Sequence, residues 1–370
     1  MAKKSPAYGD IETPVLLLHL DVVERNVSYM AERAKSLGVA LRPHVKTHKC
    51  VELGKRQVAR GASGITVSTL VEAEAFATAG FADITWAFPL DPTHLSHVRR
   101  LKDKSGATIR VVVDDLATAK ALRRSGLHAW LKVDCGYHRA GVDPESAYGL
   151  EVAKELGEER GVFFDGILSH SGHAYRTTNR EEAAEVAESE RLVMVRFGQR
   201  LATVGIPVRG ISVGSTPAMA AVRDLTGVTE ARPGNYVFYD RTMVLIGACR
   251  PADVGVTVLA TVVSHQPGAS HFIVDAGALA LSKDPGPAHG DLPQAMGGVQ
   301  GHPELTVTTL SQEHGMIRAA SPEELVGRFR VGERLEIVPN HSCLTVAHFD
   351  VYHVMQGGRG VDRWPIARGR

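Results

Sequence analysis

The stretch VALRPHVKTHKCVELGKRQVARGASGITVS, residues 39–68, holds one complete strand–helix–strand unit. Val39–Val45 is an apolar run of strand character, Val51–Arg60 has the apolar spacing of an amphipathic helix, and Gly64–Ser68 opens the next strand. The unit recurs outward. Asp83–Phe88, Ile109–Val113, Ala129–Val133, Phe164–Ser169, Val208–Val213 and Thr229–Ala231 read as strands. The helical patterns Leu70–Ala79, Leu116–Ser125, Ser146–Glu158 and Arg180–Val204 fall between them, after a first helix at Val22–Leu37. Eight alternations with parallel-type apolar strands predict a (β/α)8 TIM barrel over residues 22–245.

Beyond Leu245 the texture changes. VGVTVLATVVSH, SHFIVDAG, LTVTTLSQEHG, ERLEIVP and FDVYHVM are strand-like and separated by Gly/Pro turns too short for crossover helices. Residues 1–21 and 246–370 are therefore assigned to a second, antiparallel β domain. The early run Pro14–Asp21 suits either domain.

Composition narrows the function classes. The 370-residue chain is 44% hydrophobic and 22% charged with net charge +1, which gives no electrostatic reason to expect nucleic acid or an anionic membrane as partner. No apolar run approaches the roughly 18 residues of a membrane span. The N-terminal MAKKSPAYGDIETP lacks the apolar core of a secretory signal. Four scattered cysteines without a CxxC pair read as reduced thiols in a cytoplasmic enzyme.

In such a barrel, chemistry sits where the strands end. Strand one ends in His44, Lys46 and His48, with Arg42 and Lys49 beside them. Crowding cations around one lysine disfavours its protonation and readies the amine for a Schiff base. Gly214-Ser215-Thr216 and Gly234-Asn235-Tyr236 end strands seven and eight, and offer hydroxyls and unblocked N–H groups where barrels hold phosphate. Lysine, phosphate cup and barrel together point to pyridoxal 5'-phosphate. In the tail, His341-Ser342-Cys343 on an extended segment would point both ligands to one face, a pair suited to zinc or another borderline divalent ion.

These segments resemble fold-type III pyridoxal phosphate enzymes, in the branch of D-threonine aldolase and D-serine dehydratase, related to alanine racemase. The resemblance is carried by Thr13–Leu18, Asn26, Arg42–Lys49, Val133–Gly136 with Arg139 and Gly141, Ser212–Pro217, Gly234–Tyr236, Asp275–Gly277, Glu313–Gly315 and Pro339–Cys343, nearly the whole chain in order. It implies that Lys46 anchors the cofactor. Arg139 would lie near its phenolic oxygen, Tyr175 near its ring, and Ser215, Thr216, Gly234, Asn235 and Tyr236 around its phosphate. His341 and Cys343 would hold a divalent metal (Zn, Mn or Mg) near the substrate's β-hydroxyl.

Two reactions on β-hydroxy D-amino acids share that architecture. A base on the hydroxyl, His44 or His173, gives retro-aldol cleavage to glycine and an aldehyde. Lys46 acting on the α-proton gives dehydration and deamination to a 2-oxo acid. The aldolase is placed first, the D-serine or 3-hydroxy-D-aspartate dehydratase second, and a non-catalytic pyridoxal phosphate-binding protein last. A homodimer is implied by the resemblance as well.

Overall fold

The computed structural model describes residues 8, 11–157, 160–287, 289 and 292–369; most of the segment judged not to be a secretory signal, and residue 158 of the helix expected at Ser146–Glu158, lie outside them. The chain divides into two compact units, Ser28–Gly234 with Ala367–Arg370, and Met1–Val27 with Asn235–Ile366.

The first unit is the barrel. Its strands run, in spatial order, Ala40–Leu41, Glu230–Ala231, Gly210–Val213, Phe163–Leu168, His128–Lys132, Thr108–Val113, Asp83–Pro89 and Ile65–Val67, and every pairing is parallel. Closure is made past the end of the first strand, by a parallel bridge between His44 and Thr66. Pro43 shortens that strand because it brings no N–H. Its carbonyl still accepts from the Thr66 amide at 2.8 Å, so the ladder continues across it.

Inside, one end of the barrel is polar. Arg42 bridges Glu230 (2.6 Å) and Asp83; Arg110 bridges Asp83 and Asp165 (2.8 Å); Asp165 receives His128 at 2.9 Å. Each buried charge thereby meets an opposite one, without which its desolvation would be prohibitive. Gly166 lets the strands close on each other: at φ +132 a Cβ there would land on the Gly210 carbonyl.

Helices expected at Val51–Arg60, Leu70–Ala79 and Leu116–Ser125 are found at Val51–Ala59, Leu70–Thr78 and Leu116–Ala121. One more, Leu95–Ser105, was not foreseen, because LSHVRRLKDKS buries only Val98 and Leu101 and its apolar stripe is too thin to read.

Among the described residues, the second unit is a nine-stranded sheet. Six of its strands, His271–Val274, Gly315–Arg318, His302–Leu310, Gly297–Val299, Arg334–Pro339 and Val256–Ser264, close on themselves as an antiparallel barrel. Val15–His19 joins here, antiparallel to Val256–Ser264 and parallel to Val351–Gln356, which settles the place of the early apolar run. Leu16, Leu17 and Leu18 are all fully buried, as a strand covered on both faces requires.

Among the described residues, no helix is long and apolar enough to cross a membrane.

Candidate active site

Lys46 lies in a single turn, Val45–Thr47, that follows the barrel's first strand. The turn starts where the His44 side chain reaches back to the Lys46 amide, a long contact of 3.4 Å. The histidines beside it are not the crowding cations expected of them. Enclosure by protein, then the charge of Lys46, holds His44 well below the ordinary imidazole range. Burial lowers His48 to about 4, with its ring bonded to Gln57 at 3.2 Å and to the Cys50 amide at 3.0 Å. Lys49 is tied to the buried Glu72. Four cations act together instead on His170, at the end of the sixth strand: after desolvation, Lys46, Lys132, Arg139 and Arg232 all depress it. The positive field at this mouth is therefore assembled from strands far apart in sequence.

His48 has a measurable consequence. Its folded pKa of about 4 lies below the ordinary 6.5, so protons bind the unfolded chain better between those values. Its contribution to stability is complete above pH 6.5 and is lost as pH falls towards 4, in total about 3 kcal/mol. Equilibrium urea unfolding should show the stability difference between wild type and His48→Gln shrinking by that amount from pH 7 to pH 4. A difference independent of pH would show that His48 is not held neutral.

The hydroxyls of the expected phosphate cup are buried at the same barrel mouth. Ser215 caps the helix Thr216–Ala221 and lies 3.3 Å from Ser171, hydroxyl to hydroxyl; Thr216 is fully buried. Gly234 closes against strand one: a Cβ there would stand 2.8 Å from the His44 carbonyl oxygen and 2.9 Å from His44 Cβ. Buried hydroxyls and a converging cationic field suit a phosphorylated, aldehyde-bearing group beside a lysine.

Arg139 and His173 are brought together by a residue the sequence reading passed over. The Arg139 guanidinium lies 5.0 Å from the centre of the Tyr137 ring, and the His173 ring stacks on that ring at 6.1 Å. Gly172 makes room for this tyrosine, since any Cβ there would strike it. Tyr175 lies half-buried in the same turn, Gly172–Arg176. His173 Nδ1 is buried without a hydrogen-bond partner among the described residues.

The second unit holds a cluster of its own. Asn235 and Tyr236 form the turn Asn235–Val237, with Tyr236 fully buried. Asn235 donates through Nδ2 to Asp240 (2.6 Å) and Ser342 (3.0 Å), while its buried Oδ1 has no partner among the described residues. Asp240 also receives the Ser342 amide at 3.0 Å, which fixes the start of the helix Ser342–Val346. His341 and Cys343 do face each other, but through that helix start and not along a strand: His341 caps the helix and Cys343 lies inside its first turn.

Asp284 completes the group, with Oδ2 2.9 Å from His341 Nδ1. A carboxylate on Nδ1 leaves Nε2 to serve as a metal ligand, the arrangement that orients metal-binding histidines. Burial opposes a charged His341, yet Asp284, Cys343 and Asp240 lift it to about 11, the mark of anionic surroundings. A soft thiol, an imidazole and surplus negative charge suit a borderline divalent cation. Among the described residues no group of three or more His, Cys, Asp and Glu side chains is arranged to enclose a metal ion, so the pair would need ligands from elsewhere. Glu313 and His314, which carry part of the resemblance, lie exposed in the turn before Gly315–Arg318.

Comparison with known proteins agrees with this architecture. Residues 18–242 match the alanine racemase N-terminal domain, and residues 255–355 match a putative serine dehydratase domain. The chain belongs to the fold-type III pyridoxal phosphate family. It is 37% identical to D-threo-3-hydroxyaspartate dehydratase of Delftia sp. (strain HT23), over 97% of this chain and 98% of that one. It is 36% identical to D-serine dehydratase of Dictyostelium discoideum over 96% of both, and 32% identical to D-threonine aldolase of Arthrobacter sp over 97% and 93%. The solved Delftia dehydratase superposes with a TM-score of 0.92 or above; a variant described as metal-free gives 0.94 at 37% identity, covering 99% of this chain and 100% of that one.

Lys132, His170, Glu190, Arg232 and Asp284 were not singled out as site residues from the sequence. Glu190 left a signal there as a charge at an apolar position of the long helix Arg180–Thr203, and His170 and Arg232 stand at strand ends, where such a barrel keeps its chemistry.

Proposed function

We propose that this chain is a pyridoxal phosphate- and divalent metal-dependent dehydratase of β-hydroxy D-amino acids, releasing a 2-oxo acid and ammonia. The order of the relatives carries the choice of reaction: two dehydratases match at 37% and 36% identity, an aldolase at 32%. That reverses the sequence-based order, in which aldolase stood first.

When bound, pyridoxal phosphate supplies an electron sink for negative charge at Cα, and the divalent ion supplies a Lewis acid for the β-hydroxyl. In this reading Lys46 anchors the cofactor and takes the α-proton as the hydroxyl departs, while Arg139 and Tyr175 hold the ring. Ser215, Thr216, Gly234, Asn235 and Tyr236 hold the phosphate. His341 and Cys343 are the metal ligands, with Asp284 orienting His341. His44 is kept neutral and bears on the placement of Lys46. His44, or His173 on its tyrosine, is the base that an aldolase would use. The enzyme is taken as a cytoplasmic homodimer, for which sedimentation at the monomer mass would be the counter-evidence.

The test is product identity. With cofactor and metal supplied, D-threo-3-hydroxyaspartate should yield oxaloacetate and ammonia, and D-serine pyruvate and ammonia. Glycine with an aldehyde would establish the aldolase instead. A cofactor spectrum indifferent to every β-hydroxy D-amino acid would establish a binding protein.

A further inference from the structure

The long helix Arg180–Thr203 buries Ala183, Ala187, Glu190, Met194, Phe197 and Leu201, spaced four and three residues apart along one stripe, with Gly198 beside it. Five of the six are apolar; Glu190 is the exception, and it is 1% exposed. An aliphatic residue would fill such a place at lower cost, since a buried carboxylate must recover its desolvation from partners. Packing therefore does not explain the glutamate.

Its partners do. Glu190 Oε1 accepts the Ser169 hydroxyl at 2.7 Å and faces the Cys135 thiol at 3.9 Å, and Oε2 accepts the Gly214 amide at 3.2 Å. These three residues stand just past three successive barrel strands, His128–Lys132, Phe163–Leu168 and Gly210–Val213. Each leads directly into a segment of the candidate site: Cys135 into the loop of Tyr137 and Arg139, Ser169 into His170, and Gly214 into Ser215 and Thr216. Gly214 has φ +102, so its amide direction is set by a backbone form that few other residues adopt. Arg232 bonds the carbonyl of the same Ser169.

We propose that Glu190 is a positioning residue for the cofactor: one carboxylate, reaching in from a helix, holds the ends of three neighbouring strands at the spacing that cofactor binding needs. Its charge is also felt at the mouth. Burial, then Arg232, pushes Lys132 down to about 8, and burial pushes Arg232 down to about 10; Glu190 works against both shifts. Losing it would loosen the phosphate-side loops and withdraw support from the charged forms of Lys132 and Arg232 together. The inference rests on pyridoxal phosphate being the cofactor.

Cofactor-free wild type, Glu190→Gln and Ser169→Ala should be titrated with pyridoxal 5'-phosphate by absorption, and melted without it. Glu190→Gln keeps size but loses charge and one acceptor, so its cofactor Kd should rise about tenfold or more, with a shifted absorption maximum. Ser169→Ala removes a single donor and should raise Kd about threefold, which tests the role even where Glu190→Gln does not fold. Kd within twofold of wild type and an unchanged maximum in the folded variants would overturn the proposal, as would a lowered Tm with unaltered Kd. Failure of wild type itself to bind pyridoxal phosphate would instead bring down the functional reading.

Discussion

Lys46→Ala is expected to abolish turnover and to remove the visible absorption of protein-bound cofactor. The substitution deletes the amine that anchors pyridoxal phosphate and, in the proposed reaction, the base at Cα. General-base contributions alone span about 10²- to 10⁴-fold, so kcat should fall by roughly 10⁴ or more once the anchor is lost too. The fold should survive. Lys46 occupies one turn of three residues, half-buried, and the strand pairings around it are made by backbone groups of Arg42, Pro43 and His44. Spectra of the cofactor-loaded variant and steady-state rates on D-threo-3-hydroxyaspartate check this. A variant that keeps the visible band and turns over within tenfold of wild type would remove Lys46 from the mechanism.

The second large effect concerns the His341 turn. His341→Ala and Cys343→Ala should each leave cofactor binding intact while lowering turnover by about 10²- to 10³-fold, the several kcal/mol that a Lewis acid contributes. Chelation should do the same to wild type, and zinc or manganese should restore it. Asp284→Asn tests the orienting carboxylate: metal affinity should fall about 10- to 100-fold, as outer partners of metal-binding histidines usually cost. Metal content and rate after chelation are the measurements. Undiminished turnover in chelator and in Cys343→Ala would mean that the pair is structural.

The barrel was legible because its signals are local. An apolar run of strand length, a polar loop and a 3.6-period helix can be read within thirty residues, as in Val39–Ser68, and the strand expected at Ile109–Val113 is found at Thr108–Val113. The helix at Leu95–Ser105 was missed for the converse reason, since its local signal is nearly absent. His341 and Cys343 were found as a pair although the backbone around them is helical, because residues two apart can also meet at a helix start.

What sequence order alone could settle was the alternation that makes a barrel, the lysine after its first strand, and the imidazole–thiol pair in the tail. Each rests on neighbours a few residues apart. Tertiary structure decided the charge state of the surroundings. It turned His44 and His48 from cations into neutral rings, and drew Arg232, Lys132 and Arg139 to one mouth. It also set Asp284 on His341 and Glu190 on three strand ends. Burial and charge pairing depend on which distant segments meet, and chain closure over tens of residues leaves no periodic trace in the sequence.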